Sequence, residues 1–334
     1  MNRRTFLAAG IAAVAAPKLG AVPRTKMGIA TTSFMRGGAP RDTYEFLEYC
    51  HSLGAGGIQA SLASVEPDYL KTLRAQAEQH GMYIEVMAGL PRKESETFER
   101  AMKAAKEVGA LCVRAAALSG RRYETFSSME DWQRFVSESQ AAIARGLKIA
   151  EAHRVPLALE NHKDWTLEEF VALLKSTSSE YLGTCVDTGN NIALLDDANA
   201  LVEGLAPYAF STHIKDMGVE SYEEGFLLSE VPLGEGYLDL KGMIAVIRKA
   251  KPKVRMTLEM ITRDPLKVPC LNGKYWVTFP ERSGRYLAQT LKTVQERYRR
   301  PLPRVTALAP EAQLRLAEEN VKQCLHYSRE QLGL

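Results

Sequence analysis

Several common signatures are missing from this 334-residue chain. Its five cysteines, Cys50, Cys112, Cys185, Cys270 and Cys324, are widely scattered, and no pair has C-x-x-C spacing. A disulfide framework is not expected in a chain of this size, and three of the five fall in apolar or helical runs that read as buried core. There is no basic stripe interleaved with aromatics. The formal net charge of +3 owes much to Arg3, Arg4, Lys18, Arg24 and Lys26, so the body is close to neutral and nucleic acid is not indicated as a partner. No apolar run near the start is long enough to span a bilayer, which argues against a permanent anchor. No G-x-G-x-x-G follows the first strand, where residues 31–38 read TTSFMRGG. Apolar residues are plentiful at 46%, enough for a sizeable core.

The start reads as an address rather than as fold. Residues 1–21 place Arg3-Arg4 before a short, modestly apolar run over 7–16. This resembles a twin-arginine bacterial export signal, with cleavage after Ala16 or Ala21 and a periplasmic or otherwise exported product. A three-part division follows: signal and linker over 1–25, a catalytic domain over 26–300, and a helical extension over 301–334.

From Lys26 the chain divides into eight strand–helix units. Strands are expected at 27–32, 57–61, 83–88, 111–116, 157–161, 182–186, 209–214 and 254–260. Helices are expected near 43–53, 67–80, 94–108, 129–153, the stretch after Thr166, 199–205, 240–249 and 283–298. Pro67 suits the first turn of its helix and Gly81 its end; Thr166 and Glu169 have capping-box spacing. Long loops follow the seventh and eighth strands. Eight units in some 270 residues give the rhythm of a (β/α)₈ TIM barrel, favoured here over a doubly wound sheet. A further helix over 310–331 carries Leu314, Ala317, Val321, Cys324 and Leu325 near one stripe; it packs on the barrel or on a second subunit of a homo-oligomer.

In a barrel, the carboxyl ends of the strands converge. Glu160, Asp187, His213 and Glu259 end four successive strands. Three carboxylates and an imidazole form a mostly hard ligand set. It suits one divalent ion, Mn²⁺ first, with Mg²⁺, Co²⁺ or Zn²⁺ as alternatives. Like charges brought together in a core need such a cation. Only His162 and His213 of the six histidines lie at expected strand ends, too few for a multi-metal phosphoesterase.

The segments LALENH (157–162), CVDTGN (185–190), STHIKD (211–216), LGEGYLD (233–239) and TLEM (257–260) resemble the xylose isomerase-like TIM-barrel superfamily over residues 26–299. The resemblance implies that Glu160, Asp187, His213 and Glu259 hold one divalent ion and that the two glutamates shuttle a proton across the substrate. Many sugar epimerases of that group have histidine three residues after the metal aspartate; this chain has Asn190, a departure that weakens a ketose 3-epimerase assignment.

The expected activity is isomerisation or epimerisation of a hydroxy-carbonyl carbohydrate through an enediolate, with Glu160 taking the α-proton and Glu259 returning one. The alternatives are a lyase, dehydratase or deglycosidase acting on a keto-sugar, keto-glycoside or inosose, and a barrel that binds carbohydrate without turnover. His162, Asn190, Lys215, Arg263 and Trp276 are candidate substrate-binding residues, with Asp216 orienting Lys215 and Tyr275 and Phe34 adding apolar wall. Glu235 is given no catalytic role.

Overall fold

A computed structural model describes residues 22–177 and 179–334. The export-signal reading, on residues 1–21, lies outside them. In chain order the strands and helices are β1 (Gly28–Ala30), α1 (Thr43–Ser52), β2 (Gly57–Ala60), α2 (Pro67–His80), β3 (Tyr83–Met87), α3 (Glu96–Glu107), β4 (Val113–Ala115), α4 (Arg122–Thr125), α5 (Met129–His153), β5 (Leu157–Glu160) and α6 (Leu167–Thr177). There follow β6 (Leu182–Asp187), α7 (Ala198–Leu205), β7 (Ala209–His213), β8 (Asp216–Tyr222), β9 (Gly225–Val231), α8 (Leu240–Ala250), β10 (Thr257–Leu258), β11 (Leu266–Val268), α9 (Gly284–Arg297) and α10 (Pro310–Leu332).

Eight of these strands pair in parallel in the order β10-β1-β2-β3-β4-β5-β6-β7. A parallel bridge between Ile214 and Leu258 joins the two ends, so the sheet closes into the expected TIM barrel. The closing strand is short: β10 meets β1 only at Gly28↔Thr257 and Ile29↔Leu258.

Side chains alternate across each strand. Leu157 and Leu159, Val186, Ile58, Ile84 and Val86 face outward into the apolar layer under the helices. The alternate residues turn inward. Cys112, Ala158 and Cys185 form a small cluster of their own, and Gln59, Glu85 and Ser211 hydrogen-bond across the interior above it. Two residues further along the same faces come Glu160, Asp187 and His213. The period of two that keeps the strands apolar outside thus delivers acids and imidazole to the axis inside.

Local signals behave as the sequence predicts. Thr166 Oγ1 accepts from Glu169 N–H at 3.4 Å while Glu169 Oε2 accepts from Thr166 N–H at 2.8 Å, a reciprocal cap on α6. Pro67 opens α2, and Gly81 ends it at φ +63.

Two expectations are corrected. The long loops after the seventh and eighth strands are not irregular throughout. β8 and β9 form an antiparallel hairpin with a seven-pair register from Asp216↔Val231 to Tyr222↔Gly225, and β11 adds a third strand through Leu266↔Leu228. This sheet lies beyond the carboxyl ends of the barrel strands, because β8 begins only three residues past His213.

The helix over 283–298 was expected to be the last outer helix. In fact α9 lies against β8 and β9, with Tyr286 donating to Glu168 of α6 at 2.7 Å. The outer position between α8 and α1 is filled by α10, which buries Ala317, Val321, Cys324, Leu325 and Leu332 there. It packs on its own barrel.

Candidate metal centre

Glu160, Asp187 and His213 are the last residues of β5, β6 and β7, and Glu259 follows β10 directly. Register brings them together: Asp187 pairs with His213, and Glu160 lies opposite Cys185, two residues before Asp187. All four are at least 97% buried. Their ligand atoms lie within 4.8 Å of one another. His213 Nδ1 is 3.5 Å from Glu160 Oε1, 3.6 Å from Asp187 Oδ2 and 3.5 Å from Glu259 Oε2.

The donor set fits a cation on two grounds. Atoms about 2.0–2.2 Å from one ion are separated by about 3.0–3.5 Å, and the three His213 distances are close to that. Moreover, His213 Nδ1 is buried without a hydrogen-bond partner, and Glu160 Oε2 and Asp187 Oδ2, buried beside it, are met only by the cations Arg114 and Lys215. Such an orphan is costly unless something fills the centre.

The tautomer of His213 is set from behind. Its Nε2 is 2.7 Å from Gln59 Oε1. Gln59 spends its amide N–H groups on Glu85 Oε2 at 2.8 Å and Ser211 Oγ at 3.1 Å, so its oxygen must face the ring. Nε2 therefore carries a proton, and Nδ1 is the nitrogen turned to the carboxylates, its lone pair available to an ion once that nitrogen is deprotonated. Burial disfavours positive charge on this ring, yet Cys185, Glu259 and Asp187 beside it raise its pKa to about 10. The field there favours a cation.

Other contacts fix the carboxylates. Asp187 Oδ1 accepts from Gly189 N–H at 2.9 Å and Asn190 N–H at 2.7 Å, which leaves Oδ2 turned to the centre. Thr32 donates to Glu259 Oε1 at 2.6 Å. Arg114 pairs with Glu160, and Lys215 Nζ stands 2.5 Å from Glu259 Oε2 and 3.0 Å from Asp187 Oδ2. Burial by itself raises the Asp187 pKa; Lys215 and His213 outweigh it and hold it at about 2.

The remaining expected site residues divide. Asn190 is inside, with Nδ2 donating to Glu160 Oε1 at 2.9 Å and Oδ1 accepting from Lys215 at 3.1 Å. His162 spends Nδ1 on the Leu118 carbonyl at 2.8 Å; burial, then Lys163 and Arg114, push its pKa well down, so the ring is neutral. Arg263 is engaged in a two-point pair with Glu230, at 2.7 and 3.2 Å. Trp276 donates to the Cys270 carbonyl at 2.9 Å and packs edge-on to Tyr275. Phe34 is buried against Phe46 and Tyr49. Asp216 does not orient Lys215: its carboxylate collects the backbone N–H groups of Met217, Gly234, Gly236 and Leu238 and ties down the turn after β9. A side chain at Gly236 would meet that carboxylate at 2.1 Å. Glu235 bonds to Arg300 and Gln323, outside the centre.

Sequence reasoning overlooked Gln59, Glu85, Arg114, Lys163 and Glu230. Three of them carried a usable signal, since Gln59, Glu85 and Arg114 are polar residues in the middle of otherwise apolar strands. Lys163 is 4% exposed, adopts φ +63 and donates to Asn190 Oδ1; burial, then Lys215, bring its pKa down to about 7.

Comparison with known proteins places this geometry in company. A family model described as xylose isomerase-like TIM barrel matches residues 47–277. A 3-oxo-isoapionate decarboxylase from Pectobacterium atrosepticum is 26% identical over 219 residues, which cover 64% of this chain and 75% of that protein. A D-psicose 3-epimerase solved in the presence of D-fructose superposes with a TM-score of 0.59 at 15% identity, over 93% of this chain and all of that one. The IOLI protein, solved with a bound zinc atom, gives a TM-score of 0.56 at 16% identity, over 91% and 99%. At those identities the two structures speak for the fold.

Proposed function

This chain belongs to the xylose isomerase-like TIM-barrel family, and from that premise we propose that it is a divalent-metal-dependent isomerase or epimerase acting on a hydroxy-carbonyl carbohydrate. The observation that carries the reading is the convergence of buried ligand atoms of Glu160, Asp187, His213 and Glu259 to within 4.8 Å of one another, with His213 Nδ1 turned to the three carboxylates. A divalent ion held there supplies Lewis-acid polarisation of a substrate carbonyl.

The chain's own groups do the rest. Asp187 and His213 are assigned as ligands, with Asp187 Oδ1 held by backbone N–H groups and His213 Nε2 by Gln59. Glu160 and Glu259 come from β5 and from the end of β10, with β6 and β7 between them in the barrel. Glu160 removes the α-proton, and the electron pair of the broken C–H bond enters the enediolate. Glu259 delivers a proton to the opposite face of the same carbon for epimerisation, or to the neighbouring carbon for isomerisation. Lys215, 2.5 Å from Glu259, supplies positive charge beside the developing anion. The twin arginine of residues 3–4 supports a place of action outside the cytoplasm.

A second reading keeps the first step and replaces proton return by loss of a leaving group. Asn190 in place of the histidine common in epimerases favours it; the decarboxylase relative supports lyase chemistry in the broader sense, since decarboxylation releases carbon dioxide in place of the α-proton.

Deuterium exchange separates the two. The Mn²⁺-loaded protein is incubated in D₂O with ketoses, keto-glycosides and inososes, and products are read by NMR and mass spectrometry. Deuterium at the α-carbon with the rest of the mass conserved supports the first reading; loss of a leaving group supports the second. Chelation is expected to abolish either. Glu259→Gln is expected to lower turnover by about 10²–10⁴-fold with the circular dichroism unchanged, and normal turnover in that variant rejects the two-glutamate scheme.

A further inference from the structure

The buried centre holds more charge than its four ligand types account for. Four carboxylates, Glu160, Asp187, Glu230 and Glu259, lie among four basic side chains: Arg114, Lys215 and Arg263, which pair with them, and Lys163, which pairs with none. Counted with their usual charges, these eight side chains balance among themselves. A divalent ion then adds two positive charges to a region whose ligands are at least 97% buried. Buried charge is tolerated when it is paired. The natural counter-charge is brought by the substrate.

Lys163 shows where that charge would sit. It follows β5 by three residues and adopts a left-handed backbone, φ +63, that lysine rarely takes. The residue is 4% exposed. Among the described residues no carboxylate lies within 4.0 Å of its ammonium, unlike those of Lys215, Arg114 and Arg263. Its hydrogen bond goes to Asn190 Oδ1, and Lys215 Nζ donates to that same oxygen at 3.1 Å. Two ammonium groups therefore converge on one neutral amide oxygen. Asn190 cannot turn away, since its Nδ2 donates to Glu160 Oε1 at 2.9 Å and to the Asn161 carbonyl at 3.1 Å. An anionic oxygen beside that amide would satisfy both lysines better than the amide does.

We propose that the substrate carries a carboxylate, bound by Lys163 and Lys215 beside the metal quartet, so that the natural substrate is a sugar acid rather than a neutral ketose. This rests on the reading of the quartet as a metal centre. A carboxylate is preferred to a phosphate because its two oxygens match two ammonium groups, whereas a phosphate presents three.

The test uses three open-chain six-carbon probes without a carbonyl: gluconate, glucitol and glucitol 6-phosphate. Zn²⁺-loaded full-length protein is titrated with each by calorimetry, and bound metal is measured separately by elemental analysis. Gluconate is expected to bind at least about tenfold more tightly than glucitol, and Lys163→Met is expected to remove that preference while metal stoichiometry stays at one. Lys163→Arg, which keeps the charge, is expected to retain part of it. If gluconate binds no better than glucitol, or neither binds, while one ion is held, the carboxylate assignment fails and the metal reading stands. Tightest binding of glucitol 6-phosphate overturns it in favour of a phosphate. A protein that takes up no ion overturns both. The wild-type comparison decides the matter even if Lys163→Met does not fold.

Discussion

Gln59 makes no contact with the centre of the quartet, yet it determines which nitrogen of His213 can bind there. Its amide is pinned by Glu85 and Ser211, so its oxygen is the only polar atom it can offer the ring. Gln59→Leu removes that acceptor and frees the tautomer. We expect metal affinity to fall by about 10- to 100-fold, read by competition with a chromophoric chelator, while the far-ultraviolet circular dichroism is unchanged; unaltered affinity would show that the chain of bonds behind His213 is idle. Residues of this kind are hard to see in a sequence. Glu160, Asp187, His213 and Glu259 were legible because each stops an apolar run, and a stop repeated on four strands is a pattern. Gln59 and Glu85 interrupt otherwise apolar strands, a signal that marks them as unusual but does not say that the barrel axis, and not solvent, receives them. Lys163 was invisible for the opposite reason: a lysine in a polar loop reads as a surface charge, and only the fold reveals that it is 4% exposed.

At the scale of elements, the eight barrel strands and most helices were readable, because apolar outward faces and caps such as Thr166–Glu169 are local signals. The hairpin was not. Residues 216–231 intersperse acids, Gly and Ser among their apolar positions, and their pairing with β11 joins segments more than thirty residues apart. The position of α9 failed for a related reason: the sequence marks a helix but not the surface it lies on. The hairpin depends on one glycine. Gly225 has φ +151, and a Cβ there would meet the Val268 carbonyl at 2.3 Å. Both the backbone and the space exclude alanine. Gly225→Ala is expected to cost about 1–3 kcal/mol, felt in the three-stranded sheet. Hydrogen exchange should quicken in β8, β9 and β11 and stay slow in β5 to β7. Uniform quickening would mean that the sheet and the barrel open as one unit. The sheet also carries Glu230, which stands between Lys215 and Arg263, so loosening it should raise KM more than it lowers kcat.

The whole molecule is held by its last segment. α10 buries Val321, Leu325 and Leu332 against the barrel, and each such side chain contributes about 1.5–3 kcal/mol. Their sum approaches the about 5–15 kcal/mol of a typical domain. A chain ending at Ala309 is expected to be insoluble or to lose its cooperative thermal transition; a soluble truncated protein melting within a few degrees of the full chain would show that α10 is an accessory. The helix also joins the two ends of the described chain. Thr25 Oγ1 and Ser328 Oγ are 2.8 Å apart across 303 residues, and Arg329 donates to the Pro23 carbonyl at 3.2 Å. Contacts of such separation form only after a large loop has closed. During synthesis, then, β1 emerges first and waits for β10 on one side and for the tail helix on its flank. The ring can close once β10 is available, but its flank is covered only when α10 follows, and until then the apolar side of α8 is the surface that a chaperone would have to shield.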